Sequence, residues 1–183
     1  MKKHSRASTE VLTFVSPEVE AALRAVHKAL KEAGVRHAIA GGLAVGAYGH
    51  IRATKDVDFL VGDEAFVGTG GIVSFAPGVP FQFKGILADM VAVPPAAPGI
   101  LADVDDPVDF DGMPLVSPES LIVMKLVAKR RKDLEDIKQL LLLGVVSEMK
   151  VRKHIAQVAR SSEDAIQLDA TLEQLLQEVR DGD

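Results

Sequence analysis

The hydrophobic positions of this chain change period along its length, and those changes divide it. Val19, Ala22, Leu23, Val26 and Leu30 fall at helical spacing, which predicts an amphipathic helix. Ser16-Pro17-Glu18 supplies its start: a capping hydroxyl, a proline at the first helical position and an acid in the first turn. Gly34 supplies its end. The period then shortens. Val35 to Ala40 reads as a strand, Leu43 to Tyr48 as a short apolar helix closed by Gly49, and Val57 to Val61 as a second strand. Residues 63–71, with Gly68, Gly70 and Gly71, read as a turn-rich connection. Ile72–Phe75 and Pro80–Phe83 read as short strands, and Ile86 to Val93 as a longer one stopped by Pro94-Pro95. Residues 94–114 add Pro98, Pro107 and Pro114 to acids at 103, 105, 106, 109 and 111. They are expected to be loop, with short strands near Val108–Phe110 and Pro114–Val116.

From Ser117 the helical period returns. Ser117-Pro118-Glu119 repeats the earlier start, and Leu121, Ile122, Met124, Leu126 and Val127 supply a wide apolar face. Leu134 to Leu143 continues that run until Gly144. Further helices are expected from Ser147 to about residue 160 and from Ser162 onward, the last carrying Ile166, Leu168, Leu172, Leu175, Leu176 and Val179. Residues 1–15 read as a loose lead-in, and no internal repeat is visible. The expected fold is α+β: a small mixed sheet flanked by helices over residues 1–116, then a C-terminal helical half, 117–183, packed on that core.

Composition narrows the function. With 183 residues and a hydrophobic fraction of 48%, the chain can bury one sizeable core. A formal net charge of −5 disfavours a general nucleic-acid binder, which needs a basic surface. Cysteine is absent, which excludes disulfides, thiolate metal sites and a thiol nucleophile. One Tyr and no Trp leave little for base stacking. No apolar run reaches 18 residues, and the basic start, MKKHSRASTE, lacks the apolar stretch of a signal peptide. A cytoplasmic protein with no membrane partner is expected.

The densest chemistry lies between residues 40 and 58. Gly41-Gly42 follows an apolar strand, where a tight turn lets backbone N–H groups face the phosphates of a ligand. Asp56-Val57-Asp58 opens the next strand. The period of two puts both carboxylates on one face, where they suit Mg²⁺, with Mn²⁺ as the alternative ion. Asp89, inside the apolar run Ile86–Val93, is the best third acid, because a charge in such a run is costly unless a metal compensates it. Arg52 and Thr54 stand just ahead of the acids, with Arg52 either neutralising a triphosphate or pairing with Asp56 and Asp58. The glycines are not a dinucleotide fingerprint, since the G-x-G-x-x-G order is missing, and the Lys-Ser/Thr of a P-loop is missing too. A dehalogenase-type phosphatase is disfavoured, because Arg-Ala-Thr-Lys rather than an apolar strand precedes Asp56. The acids at 103–111 are expected to be solvated.

The order of an apolar residue, Gly-Gly, about a dozen residues and then Asp-x-Asp resembles the DNA polymerase β-like nucleotidyltransferase superfamily. A second block, Met124-Lys125-Leu126-Val127-Ala128-Lys129-Arg130-Arg131-Lys132-Asp133-Leu134-Glu135-Asp136-Ile137, resembles the narrower bacterial AbiEii toxin-like group. There an apolar helix carries a lysine, a basic residue, then Asp and Asp-Ile. The resemblance spans about residues 35–143. It implies transfer of a nucleoside monophosphate from a nucleoside triphosphate to an acceptor hydroxyl, with Asp89 helping to activate that hydroxyl. It also implies a triphosphate-binding lysine at Lys125, with a supporting network at Asp133. The chain departs from the superfamily in having Gly42 where serine is frequent. It is also shorter than full toxins of this type, so toxin activity does not follow.

Two rival readings stay open at this level. One is a nucleotide-binding member of a toxin–antitoxin or regulatory pair with little or no catalysis. The other is an interaction protein that dimerises through its Leu-rich C-terminal helices. An RNA end, a protein or a small molecule would serve as acceptor, and a homodimer or a cognate protein partner fits the apolar helices.

Overall fold

A computed structural model describes residues 8–69, 72–92 and 107–182. The sequence expectations for Gly70, Gly71, Val93, Pro94, Pro95, Pro98 and the acids at 103, 105 and 106 lie outside these residues. The architecture is α+β, a mixed six-stranded sheet flanked by helices and followed by a helical C-terminal region. Helices α1 (Pro17–Glu32) and α2 (Gly41–Ala47) belong to the sheet half. Helices α3 (Pro118–Ala128), α4 (Arg131–Leu142), α5 (Glu148–Val158) and α6 (Ser162–Asp181) form the rest. Among the described residues no helix is long and apolar enough to cross a membrane.

The sheet is built from the inside outward. Strand β1 (His37–Ile39) and β2 (Val57–Val61) pair antiparallel at its centre. Strand β6 (Ile86–Ala92) runs parallel to β2 on one side and carries the short edge strand β5 (Gln82–Phe83). On the other side β8 (Met113–Leu115) runs parallel to β1 and carries β7 (Val108–Phe110). Two further strands, β3 (Phe66–Thr69) and β4 (Ile72–Phe75), form a separate antiparallel pair. The sequence places a turn-rich connection over residues 63–71, and β3 overturns its second half. Phe66 opposite Phe75, with rings 5.7 Å apart, gives that pair a local apolar contact which composition did not reveal.

Both Ser-Pro-Glu starts behave as helix caps. The Ser16 hydroxyl accepts the Val19 amide at 3.3 Å, and the Ser117 hydroxyl accepts the Ser120 amide at 3.2 Å. Residues 1–7 of the lead-in lie outside the described residues, and its described part is tighter than expected. Thr9–Thr13 forms a 3₁₀ turn, and Val11 is buried against Gly46, where an added Cβ would stand 2.3 Å from a Val11 methyl. Packing therefore fixes this segment, although its sequence carries no periodicity. One cluster of buried side chains takes in both halves, from Leu23 and Phe59 to Leu126, Ile137 and Leu172.

The largest departure from expectation lies between α3 and α4. The apolar run from Leu121 to Leu143 is two helices, broken where Lys129 adopts φ +53° and Arg130 is extended. A straight helix would carry Asp133 and Asp136 away from Lys125 at 1.5 Å per residue. The break folds them back onto it, and a buried ion network described below compensates the strained lysine backbone.

Candidate active site

Strand pairing gathers the acids. Asp58 of β2 lies opposite Asp89 of β6 in the parallel register, whereas Asp56, expected on the strand, lies in the bend just before β2 begins at Val57. Asp56 and Asp58 are half-buried, whereas Asp89 is exposed. The apolar letters around Asp89 therefore do not make an apolar environment. Leu87 and Val91, two residues to either side, are exposed with it, while Ala88 turns into the core. Burial pushes the Asp58 carboxyl up, and the negative charges of Asp56 and Asp89 push it further. Among the described residues none of the three acids forms an ion pair. No three His, Cys, Asp or Glu side chains stand gathered as a finished ion cage there either.

The glycine turn is shaped around Asp58. Gly41 has φ +61°, and a Cβ there would lie 1.7 Å from Asp58 Oδ2 and 2.7 Å from Asp58 Cβ. Only glycine permits both the backbone conformation and that approach. The Gly42 N–H donates to the Asp58 carboxylate, and the Ala40 N–H donates to the Asp58 carbonyl at 2.8 Å. In this structure the Gly42 amide, expected to face a phosphate, is thus engaged by the second acid of Asp-x-Asp. Thr54 steadies the first acid: its hydroxyl donates to Asp56 Oδ1 at 3.0 Å.

Behind the turn lies a buried network of charges. Arg52 is not paired with Asp56 or Asp58. It forms a two-pronged pair with Asp136, Nε to Oδ1 at 2.8 Å and Nη2 to Oδ2 at 2.9 Å. Its guanidinium also lies against the glycine turn, 3.3 Å from the position of a Cβ on Gly42. Lys125 is 5% exposed, and its Nζ donates to Asp136 Oδ2 at 2.6 Å and Asp133 Oδ1 at 3.0 Å. Arg130 Nε donates to Asp133 Oδ2 at 2.6 Å from the solvent side. His50 approaches Asp136 to 3.9 Å. Burial alone would raise the two aspartates. Arg52 and Lys125 hold Asp136 below the usual carboxylate range, and Arg130 and Lys125 do the same for Asp133.

The fold therefore brings Gly41, Gly42, Arg52, Thr54, Asp56, Asp58 and Asp89 to one end of β2. It sets Lys125 one layer behind them, joined through Asp136 and Arg52. The partnership of Arg52 with Asp136 is not written in the local sequence. Its only trace is that Asp133 and Asp136 share a helical face with Ile137 and Leu140, all of them buried. Of the acids in the Pro-rich stretch, Asp109 is exposed and Asp111 pairs with Arg24 at 2.7 Å on the surface.

Neither a protein-family model nor a curated protein matches the chain. Among solved structures, it is similar to an antigenic nucleotidyltransferase-like protein from Paracoccidioides brasiliensis. That likeness covers 96% of this chain and 91% of the other, at 18% identity and a TM-score of 0.46.

Proposed function

We propose that this protein is a nucleotidyltransferase, moving a nucleoside monophosphate from a nucleoside triphosphate to an acceptor hydroxyl and releasing pyrophosphate. The observation that carries this reading is the acid cluster itself. Asp58 and Asp89 are held in register beside Asp56 with no direct ion pair among the described residues, and a glycine turn is moulded onto Asp58. Like charges held together in a folded protein are costly, and a hard divalent cation suits their oxygen donors. Asp56, Asp58 and Asp89 would hold Mg²⁺ or Mn²⁺, which neutralises phosphate charge and polarises the phosphate under attack.

The chain's own groups then divide the work. Thr54 fixes the Asp56 carboxylate, and the Gly42 amide fixes that of Asp58. Arg52, 27% exposed along its side chain, presents positive charge beside the Gly41–Gly42 turn, where the triphosphate would lie. Asp89, the most open of the three acids, is the group an incoming hydroxyl would meet, and it would accept that proton as the α-phosphorus is attacked. Positioning and charge neutralisation supply the rate, as in other phosphoryl-type transfers.

The test is titration calorimetry of ATP, GTP, CTP and UTP with Mg²⁺ against wild type and the Asp56→Ala/Asp58→Ala double variant. Mg²⁺-dependent binding that disappears in the double variant supports the assignment and opens an acceptor screen. Absence of binding to the wild type refutes it.

A further inference from the structure

We infer that Asp136, backed by Lys125, is a positioning residue that aims Arg52 at the phosphates of the nucleotide; the inference rests on the nucleotidyltransferase reading above. Three observations carry it. Asp136 has a side chain 2% exposed, and both of its oxygens are taken, Oδ1 by Arg52 and Oδ2 by Arg52 and Lys125. Lys125 has a side chain 6% exposed and spends its ammonium on Asp133 and Asp136. It is shut away from an incoming ligand, which assigns it the part of a buried counterion rather than a triphosphate contact. Arg52 is the member of the network that reaches the turn. Its Nε and Nη2 are clamped by Asp136, and Nη1, loosely held by the Ala53 carbonyl at 3.3 Å, is left beside Gly42.

Exposure points the same way. Lys125 is sealed inside, facing Asp133 and Asp136, while Arg52 and Arg130 are the cations of the network that reach solvent, and both also feel the negative charge of Asp58. A planar guanidinium fixed on two prongs keeps its remaining N–H groups pointed in one direction, at little further entropy cost on binding.

The test measures Mg²⁺–ATP affinity by calorimetry for wild type, Arg52→Gln, Asp136→Asn and the double variant. Asp136→Asn is expected to weaken binding about tenfold, the scale of one charge-assisted hydrogen bond. The double variant should bind no more weakly than Arg52→Gln alone, because Asp136 acts through Arg52. Independent, additive losses would overturn the inference, as would wild-type affinity in Asp136→Asn. Arg52→Lys covers the case in which Asp136→Asn does not fold. It keeps the charge but loses the two-pronged clamp, so it should bind like Arg52→Gln, and wild-type affinity there refutes the positioning role. A wild type that binds no nucleotide overturns the enzymatic reading itself, an outcome distinct from each of these.

Discussion

Gly41→Ala probes the glycine turn more sharply than any change to the acids. Two costs arise at this one position. Alanine in the left-handed region at φ +61° costs about 1–2 kcal/mol relative to glycine. The new methyl would also stand 1.7 Å from Asp58 Oδ2, 2.3 Å from Cγ and 2.7 Å from Cβ. The carboxylate can rotate away, but it then gives up the Gly42 N–H, a hydrogen bond to a charged group worth about 1.5–3 kcal/mol. The Cβ contact cannot be relieved by rotation, because β2 is pinned between β1 and β6 and the Asp58 carbonyl is held by the Ala40 amide. The total comes to about 4 kcal/mol. Urea denaturation of wild type and Gly41→Ala reads it directly. Gly42→Ala is the internal comparison. There the new methyl meets only Thr54 Oγ1 at 3.1 Å and the Arg52 guanidinium at 3.3 Å, both ends of side chains, so a loss of about 1 kcal/mol or less is expected. A Gly41→Ala loss no larger than that of Gly42→Ala would refute the moulding of the turn onto Asp58.

Three further outcomes follow from the electrostatics. Lys125→Met leaves the buried Asp136 with Arg52 alone and the buried Asp133 with Arg130 alone, and should cost about 3 kcal/mol in a urea titration; a loss below about 1 kcal/mol would show that the two arginines suffice. Asp58→Asn should leave the metal-free protein as stable as wild type at neutral pH, or up to about 1 kcal/mol more stable, while abolishing Mg²⁺-dependent nucleotide binding. The sign follows from Asp58 being pushed up by burial, Asp56 and Asp89: its charged form opposes folding, and that penalty grows as pH rises through its folded value. The third outcome concerns the His27–His37 pair, where Nδ1 and Nε2 lie 2.8 Å apart and His37 Nδ1 lies 2.7 Å from the Val35 carbonyl. Both rings are held below their ordinary value, chiefly by burial. Stability from this pair is therefore full above the unfolded value near 6.5 and falls as pH drops below it. The denaturation midpoint should fall more between pH 7.5 and 5.0 in wild type than in His27→Gln, and equal falls would dismiss the pair as a cause.

The sequence was most readable where a single local rule decides. Ser16-Pro17-Glu18 and Ser117-Pro118-Glu119 announce two helices because caps act within one turn. The closeness of Asp56 and Asp58 was legible because they are two residues apart at a strand's start, and Asp89 was legible as a strand residue, but its register opposite Asp58 was not. Less was visible where distant residues decide. Nothing around Lys129 marks a helix break; Asp133 and Asp136 impose it by returning to Lys125. Arg52 was legible as a cation near the acids, but its partner lies 84 residues further on. Asp89 was placed in an apolar setting by its neighbours in sequence. The structure exposes it because the flanking Leu87 and Val91 are themselves left uncovered. Glycine at 41 was legible as a turn, and its close fit to Asp58 was not, because that contact needs the register of β1 on β2.

The 84-residue span between Arg52 and Asp136 also has a meaning in time. At ribosomal speeds of about 5–20 residues per second, Asp136 is made roughly 4 to 17 s after Arg52. Strand β8, which lies beside β1 in the finished sheet, is also made in that interval. During synthesis the acids, the glycine turn and Arg52 all exist before the clamp that orients the arginine. Products cut short before α4 carry every carboxylate of the site and lack its fixed cation. Synthesis of α4 is thus the step that fixes Arg52 beside the glycine turn, and a chain terminated before it is left without that clamp.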